Sequence, residues 1–304
     1  MKNRMNRTLA AVLAILLAVC IFGAAAERTL TTEFEEGSAG ALLSQLISEK
    51  TGLPIVVAEG EEPGAAANRM LQDPECVLCG SQNTLIAGLQ GYTTADLRDA
   101  MVPVCRVAVS PLYLVMDRRT AEGYGISDLE TLQQYIPEHE YELVFARHLG
   151  ADPVDLAVTQ LSNETEVMTD WFSAEKIPEA LQEGDADAAV FTGRELAELD
   201  GDWLILCCLG AERSLEYPDI PCAAEAGWTP AEGEWVALFI SAEASEEQIG
   251  ETAQAALTVE QADLPAGYEL RPLEGEALQE EVVNLFQEYK KYMTAEGLFF
   301  YEEY

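Results

Sequence analysis

The chain has 304 residues, with 17 Lys+Arg against 54 Asp+Glu, a formal net charge of −37, and 49% apolar against 23% charged residues. That composition supplies a buried core and excludes a disordered chain. The charge excludes the basic face that nucleic acid or an anionic lipid surface requires. At this length one large domain or two ordinary ones are expected.

Lys2, Arg4 and Arg7 form a basic start, Leu9–Phe22 an apolar stretch, and Ala24-Ala25-Ala26 the small residues a signal peptidase needs. This is the pattern of a secretory signal peptide over residues 1–26. Its removal leaves a chain more acidic still. Two alternatives stand beside it. One is an uncleaved anchor, because Leu9–Ala26 is nearly long enough to span a bilayer. The other is a lipid tether through Cys20, which the bulky Val19 before it disfavours. The rest of the chain is expected to be extracytoplasmic, in the periplasm or at the cell surface.

Beyond the leader, helices and strands alternate. Leu42, Leu43, Leu46 and Ile47 recur at helical spacing, with Gly52 as a stop, and Leu53–Val57 reads as a buried strand. Pro63-Gly64 turns into a helix to about Gln72, and Cys76–Cys79 is the next strand. Apolar runs follow at Val104–Val109 and Leu112–Met116. Ser127 and Glu130 have the form of a capping box ahead of Leu129, Leu132 and Tyr135. Leu143–Phe145 is a strand, and Ile177–Glu183 a helix closed by Gly184. Ala188–Phe191, Leu204–Cys208 and Trp235–Ile240 are strands, and Ile249–Leu257 and Leu278–Tyr292 are helices. This alternation predicts parallel or mixed sheets covered on both faces. With no linker and no repeat, two lobes with the chain crossing between them are expected, rather than two beads on a string.

Six cysteines follow the leader: Cys76, Cys79, Cys105, Cys207, Cys208 and Cys222. Cys76 and Cys79 have C-x-x-C spacing but lie in an apolar run with no second pair at metal spacing. Buried inert thiols are the expectation, with a disulfide as the alternative. His139 and His148 are the two histidines, and neither has a metal-spaced partner. No nucleophile elbow, P-loop or dinucleotide fingerprint is present. Gly123-Tyr124-Gly125 reads as a turn. Asp185 and Asp187 hint at a calcium loop but lack its closing glutamate, so a solvated turn is expected. No catalytic residue, metal or cofactor is expected. An exported α/β chain of this kind points to binding, with a secreted hydrolase as the rival class.

Three stretches carry a resemblance to a known family. Ile55-Val56-Val57 leads to Pro63-Gly64-Ala65-Ala66-Ala67-Asn68 and then Asp73-Pro74-Glu75 before Cys76. Glu212-Arg213 precedes Pro218-Asp219-Ile220-Pro221-Cys222, Glu225 and Gly227. Trp171-Phe172-Ser173 precedes Ala180-Leu181, Gly184 and Asp187. Together they resemble the tripartite tricarboxylate transporter receptors, the TctC or Bug-type extracytoplasmic solute receptors, over nearly the whole exported chain. Departures mark a divergent member. The loop Phe34–Ala41 keeps one glycine of the family's pair and lacks its aspartate, and Gln45 stands where the family has arginine.

The resemblance implies a type II periplasmic-binding-protein fold, two α/β lobes with a ligand cleft between them. Residues 27–116 with 232–304 would form lobe 1, and 117–231 lobe 2. It implies a small di- or tricarboxylate ligand, integral membrane transporter subunits as partners, and a monomer. Family ligands are held by backbone amides at helix starts, where free donors and a positive dipole end coincide. Gly37-Ser38 and Pro63-Gly64-Ala65 are the two such loops here. Ser81, Gln82 and Asn83 would add hydroxyl and amide partners. From the second lobe, Arg147, His148, Phe172 and Ser173 complete the expected site, with Arg147 as a bidentate carboxylate partner. The Pro218–Pro221 motif reads as architectural. Glu33, Glu35, Glu36, Glu59, Glu61 and Glu62 would flank this cleft. They set a sensor or surface module for an amino-bearing metabolite against the carboxylate receptor.

Overall fold

The computed structural model describes residues 28–56, 62–139, 141–148, 150 and 152–297. The signal peptide, Cys20, Val57, Glu59 and Glu61 lie outside the described residues. In chain order the first part contains β1 (Thr29–Thr32), α1 (Ala39–Thr51), α2 (Ala65–Gln72), β2 (Cys76–Gly80), α3 (Gln82–Leu89), α4 (Leu97–Ala100) and β3 (Met101–Ser110). The middle contains β4 (Leu112–Asp117), α5 (Arg118–Tyr124), α6 (Leu129–Glu138), β5 (Val144–Arg147), α7 (Pro153–Thr165), β6 (Met168–Trp171), α8 (Ile177–Glu183), β7 (Ala188–Thr192), α9 (Gly193–Glu198), β8 (Trp203–Cys208) and α10 (Ala223–Ala226). The last part contains β9 (Glu234–Ser241), α11 (Glu246–Ala256), β10 (Glu269–Glu274) and α12 (Gly275–Glu296).

These strands form two five-stranded sheets, in the orders β1-β2-β9-β3-β10 and β6-β5-β7-β4-β8. Each sheet is buried on both faces, as mixed α/β sheets require. On β9, Trp235, Ala237 and Phe239 pack with α2, α3 and α12. Their neighbours Val236, Leu238 and Ile240 pack with α1 and α11 on the opposite face. On β4, Leu112, Leu114 and Met116 face the helices α5 to α7, and Tyr113 and Val115 face α8. The strict alternation explains why these runs are apolar throughout. It is the two-lobed architecture of a type II periplasmic binding protein.

The boundary between lobes differs from expectation. β4 pairs with β7 and β8 in the second sheet, so the first crossing is at Pro111 and not after Met116. β3 and β4 run on from each other, with Ser110 paired to Glu234 and Leu112 to Thr192. The return crossing ends at Gly233, where a Cβ would stand 2.2 Å from the Ser110 carbonyl oxygen. Only glycine lets the two crossing strands lie this close.

Local readings also shift. The α6 box is formed by Asp128 and Thr131, because Asp128 and not Ser127 takes the extended cap position. Gly123-Tyr124 belongs to α5, and Gly125 is its left-handed cap. Asp187 is no solvated turn: it is buried and accepts from the Tyr124 hydroxyl (2.9 Å) and the Val144 amide (2.8 Å). The six cysteines are buried free thiols, and burial pushes Cys79 up to about 12.

Candidate functional site

Parallel strands deliver their C-terminal ends, and the helices that follow, to one edge of a sheet. In the first lobe β1 and β2 are parallel and lead into α1 and α3. In the second, β5 and β7 are parallel and lead into α7 and α9. These two edges face each other beside the crossing. Arg194, just past β7, donates its amide to Ser110 Oγ (2.9 Å) and places Nε 3.5 Å from Glu234 Oε2 at the start of β9. Crevices at the carboxyl ends of strands are where open α/β sheets hold ligands.

On the first-lobe side the expected loops do start helices. Gly37 is left-handed, and Ser38 caps α1 by accepting from the Ala41 amide at 3.1 Å. Gly64 is the left-handed cap of α2, directly after Pro63 and before Ala65. The first amides of such helices have no partner within the helix. Ser81 caps α3, receiving the Asn83 amide (3.1 Å), and Asn83 itself is exposed. Gln82 is inward-facing instead. It is buried, donating to Gly233 O (2.5 Å) and accepting from the Trp235 amide (2.8 Å), so it ties α3 to β9.

Glu33 directly follows β1 and is half-buried against α3. Its carboxyl accepts from the Ser81 amide and hydroxyl, each at 2.5 Å, and from the Thr84 hydroxyl. Burial outweighs these donors and raises its pKa from 4.5 to about 7. Glu35, Glu36 and Glu62 are exposed, so among the described acids singled out in sequence Glu33 alone is drawn inside.

Arg147 is placed differently from the expectation of a ligand-facing guanidinium. It is only 7% exposed, with Nε 2.7 Å from Asp155 Oδ1 and Nη2 3.0 Å from the Tyr292 hydroxyl and 3.1 Å from Glu296. The Tyr292 hydroxyl in turn donates to Asp155, and the Trp171 ring stacks 4.2 Å from the guanidinium carbon. Asp155 lies on α7 and Tyr292 on α12, so the cluster latches the last helix of the first lobe to the second. Its Nε and Nη2 are thus engaged within the protein. His148 pairs Nε2 with Asp152 at 2.6 Å, and this hydrogen bond raises its pKa. Phe172 and Ser173 follow β6 and not a helix. Phe172 is half-buried, donating its amide to Arg147 O (2.8 Å), and Ser173 is exposed.

Two groups at the facing edges escaped the sequence reading: Arg194 and Glu234. Burial raises the Glu234 pKa, with Arg194 opposing. The signal available was the polar pair Arg194-Glu195 just past Thr192-Gly193 at the end of the apolar run 188–191, which a strand-end rule singles out. The Pro218–Pro221 motif is architectural in its contacts. Arg213 pairs with Glu225 (2.8 Å) and donates to Pro218 O (3.0 Å), while Glu225 accepts the Cys222 amide (3.0 Å). Among the described residues no cluster of histidine, cysteine, aspartate or glutamate has the form of a metal centre.

No family model and no curated protein matches the chain. Solved structures do. A TctC solute-binding protein from Polaromonas, solved without ligand, superposes with a TM-score of 0.73 at 14% identity, over 88% of this chain and 97% of that one. MatC from Rhodopseudomonas palustris with bound malate gives 0.59 at 19% identity, over 88% and 99%. Rpa4515 from R. palustris with adipate gives 0.64 at 16%, over 90% and 98%. The chain therefore has the fold of the TctC and Bug-type periplasmic binding proteins over nearly all of its described length.

Proposed function

We propose that this protein is a divergent extracytoplasmic solute receptor of the TctC/Bug type. It captures a small organic carboxylate between its lobes and delivers it to integral membrane transporter subunits. The observation that carries this is the facing of two strand-end edges, each supplying helix starts, in a fold whose solved relatives include complexes with malate and adipate. The α1 start at Gly37-Ser38, the α2 start at Pro63-Gly64-Ala65 and the α3 start at Asn83 supply oriented amides on one side, and His148, paired with Asp152, lies on the other. Backbone donors and helix dipoles suit a carboxylate without demanding an arginine. Within this reading Arg147 and Gln82 position the site and do not touch the solute. The role is capture, not catalysis, and the N-terminal leader fits export. No helix of the described residues is long and apolar enough to cross a membrane.

The test is mass spectrometry of small molecules released on denaturing protein purified without added ligand. Recovery of an organic acid in near-stoichiometric amount supports the reading. Recovery of a stoichiometric solute without a carboxylate refutes it.

A further inference from the structure

We propose that Cys208 and Cys222 are a disulfide-forming pair, joined when the folded protein meets a small-molecule disulfide as oxidant. This goes beyond the receptor reading and stands or falls without it.

In the structure both are buried free thiols. Cys208 ends β8, and Cys222 stands beside it as its parallel bridge partner, with the Cys208 amide donating to Pro221 O at 2.9 Å. Neighbouring strands lie about 4.7–4.9 Å apart, and residues facing each other across them share one side of the ribbon. That spacing falls inside the Cα window of about 4.4–6.8 Å that a disulfide requires. Both sulfurs also face the same loop. Cys208 Sγ lies 3.7 Å from Glu212 O, and Cys222 Sγ lies 3.4 Å from Ala211 O.

The same geometry sets the other four cysteines aside. Cys207 points to the opposite face of β8, into the core with Leu112 and Leu114, while Cys208 packs with Tyr113 and Val115. β2 and β3 lie on either side of β9. Cys76 and Cys79 therefore stand at least two strand spacings, about 9–10 Å, from Cys105. Cys76 and Cys79 are themselves three residues apart on one strand, about 10 Å, and on opposite faces. The C-x-x-C spacing is thus not the pairing signal; the bridge between β8 and the residue before α10 is.

Cys208 borders a cavity of about 270 Å³ at the lobe crossing, which Leu112, Glu232 and Arg271 also line. An oxidant reaches its sulfur from there. The Cys208 thiolate attacks the S–S bond of the reagent, forming a mixed disulfide and releasing one thiolate. The Cys222 thiolate then attacks the Cys208 sulfur and releases the second. Two protein thiols lose two electrons and two protons, and one reagent disulfide becomes two thiols. The new bond closes the loop 209–221, which already rests on the first lobe. Glu269 accepts from the Ser214 hydroxyl (2.6 Å) and the Leu215 amide (2.7 Å), and Arg271 pairs with Glu212 (2.7 Å). Oxidation therefore stiffens a second-lobe segment docked on β10.

The experiment treats the folded exported chain with cystamine at alkaline pH, where more of a buried thiol is ionised. The chain is then denatured, its remaining thiols are blocked with iodoacetamide, and its tryptic peptides are mapped. Cleavage after Arg194, Arg213 and Lys290 puts Cys208 and Cys222 on separate peptides, 195–213 and 214–290. These two are expected as one linked species, with Cys76, Cys79 and Cys105 alkylated. The link is expected to persist in Cys207→Ser and to vanish in Cys208→Ser. Dithiothreitol should lower the melting temperature of the oxidised wild type by about 5 °C or more, and leave Cys222→Ser unchanged. Six alkylated thiols after cystamine, or a link between any other pair, overturns the proposal. So does a link that survives in Cys208→Ser, or an oxidised wild type whose melting ignores the reductant. The wild-type map decides even if a variant fails to fold.

Discussion

Replacing Glu33 by glutamine should make the protein more stable at neutral and alkaline pH and leave it unchanged in acid. Glu33 is half-buried, and its pKa is raised from 4.5 to about 7 mainly by loss of water. A raised acid binds its proton more tightly in the folded than in the unfolded state. Stability from this group is therefore full below pH 4.5 and is lost as pH rises through about 7. The displacement corresponds to a limit of about 3 kcal/mol. Glutamine mimics the protonated form. Its oxygen accepts from the Ser81 amide where Glu33 Oε1 does at 2.5 Å, and its amide group faces the rotatable Thr84 hydroxyl. Urea unfolding of wild type and variant from pH 5 to pH 8 isolates the group, because every other titration is common to both. The difference in unfolding free energy should be small at pH 5 and grow to about 2–3 kcal/mol in favour of the variant at pH 8. Parallel curves across that range would refute the reasoning. A variant uniformly less stable would show that Glu33 is ionised and held by its three donors.

The Arg147 latch gives a second expectation. Tyr292→Phe removes the hydroxyl that joins Asp155 to Arg147, at a cost of about 1–3 kcal/mol by chemical denaturation. Arg147→Met leaves Asp155 buried without its cation and should cost more, about 3–5 kcal/mol. His148 carries a raised pKa through Asp152, so its stabilisation is complete below the unfolded value near 6.5 and fades as pH rises through the folded one. Asp152→Asn keeps the α7 cap, and should return the His148 titration followed by NMR towards its ordinary midpoint. Gly267 is left-handed (φ +78°), with the Gly193 carbonyl oxygen 2.3 Å from any added Cβ. Gly267→Ala should therefore lower the melting temperature by several degrees or force the lobes apart in small-angle scattering.

Much of the fold is legible in the sequence because buried strands are apolar on both faces. Cys76–Cys79, Ala188–Phe191 and Trp235–Ile240 fall inside β2, β7 and β9 for that reason. The elements that escape notice lack such runs. β1 carries alternate threonines, β6 is an exposed edge (Met168–Trp171), and β10 is charged and bulged. α7 starts at Asp152-Pro153, a good cap and first helical residue with no strong apolar run behind it to draw attention. The lobe boundary is not legible in the sequence because β3 and β4 are equally apolar and only pairing partners tell them apart.

Within the site, loops with glycine signatures were readable, since a left-handed cap at Gly37 or Gly64 leaves a local trace. The fate of a charged side chain was not. Arg147 and Glu33 are settled by Tyr292 and Ser81, residues 145 and 48 positions away. No local pattern encodes such partners. The net charge of −37 is a bulk property, and what matters at the cleft is which acids are satisfied.

The central claim is that the two lobes share one small-molecule site. Hydrogen exchange of the exported chain, with and without the acid recovered from it, tests this most directly. The account predicts that ligand slows exchange together at the α1 and α2 starts of the first lobe and at residues 192–195 of the second. Protection confined to one lobe, or to the outer helices, would contradict it.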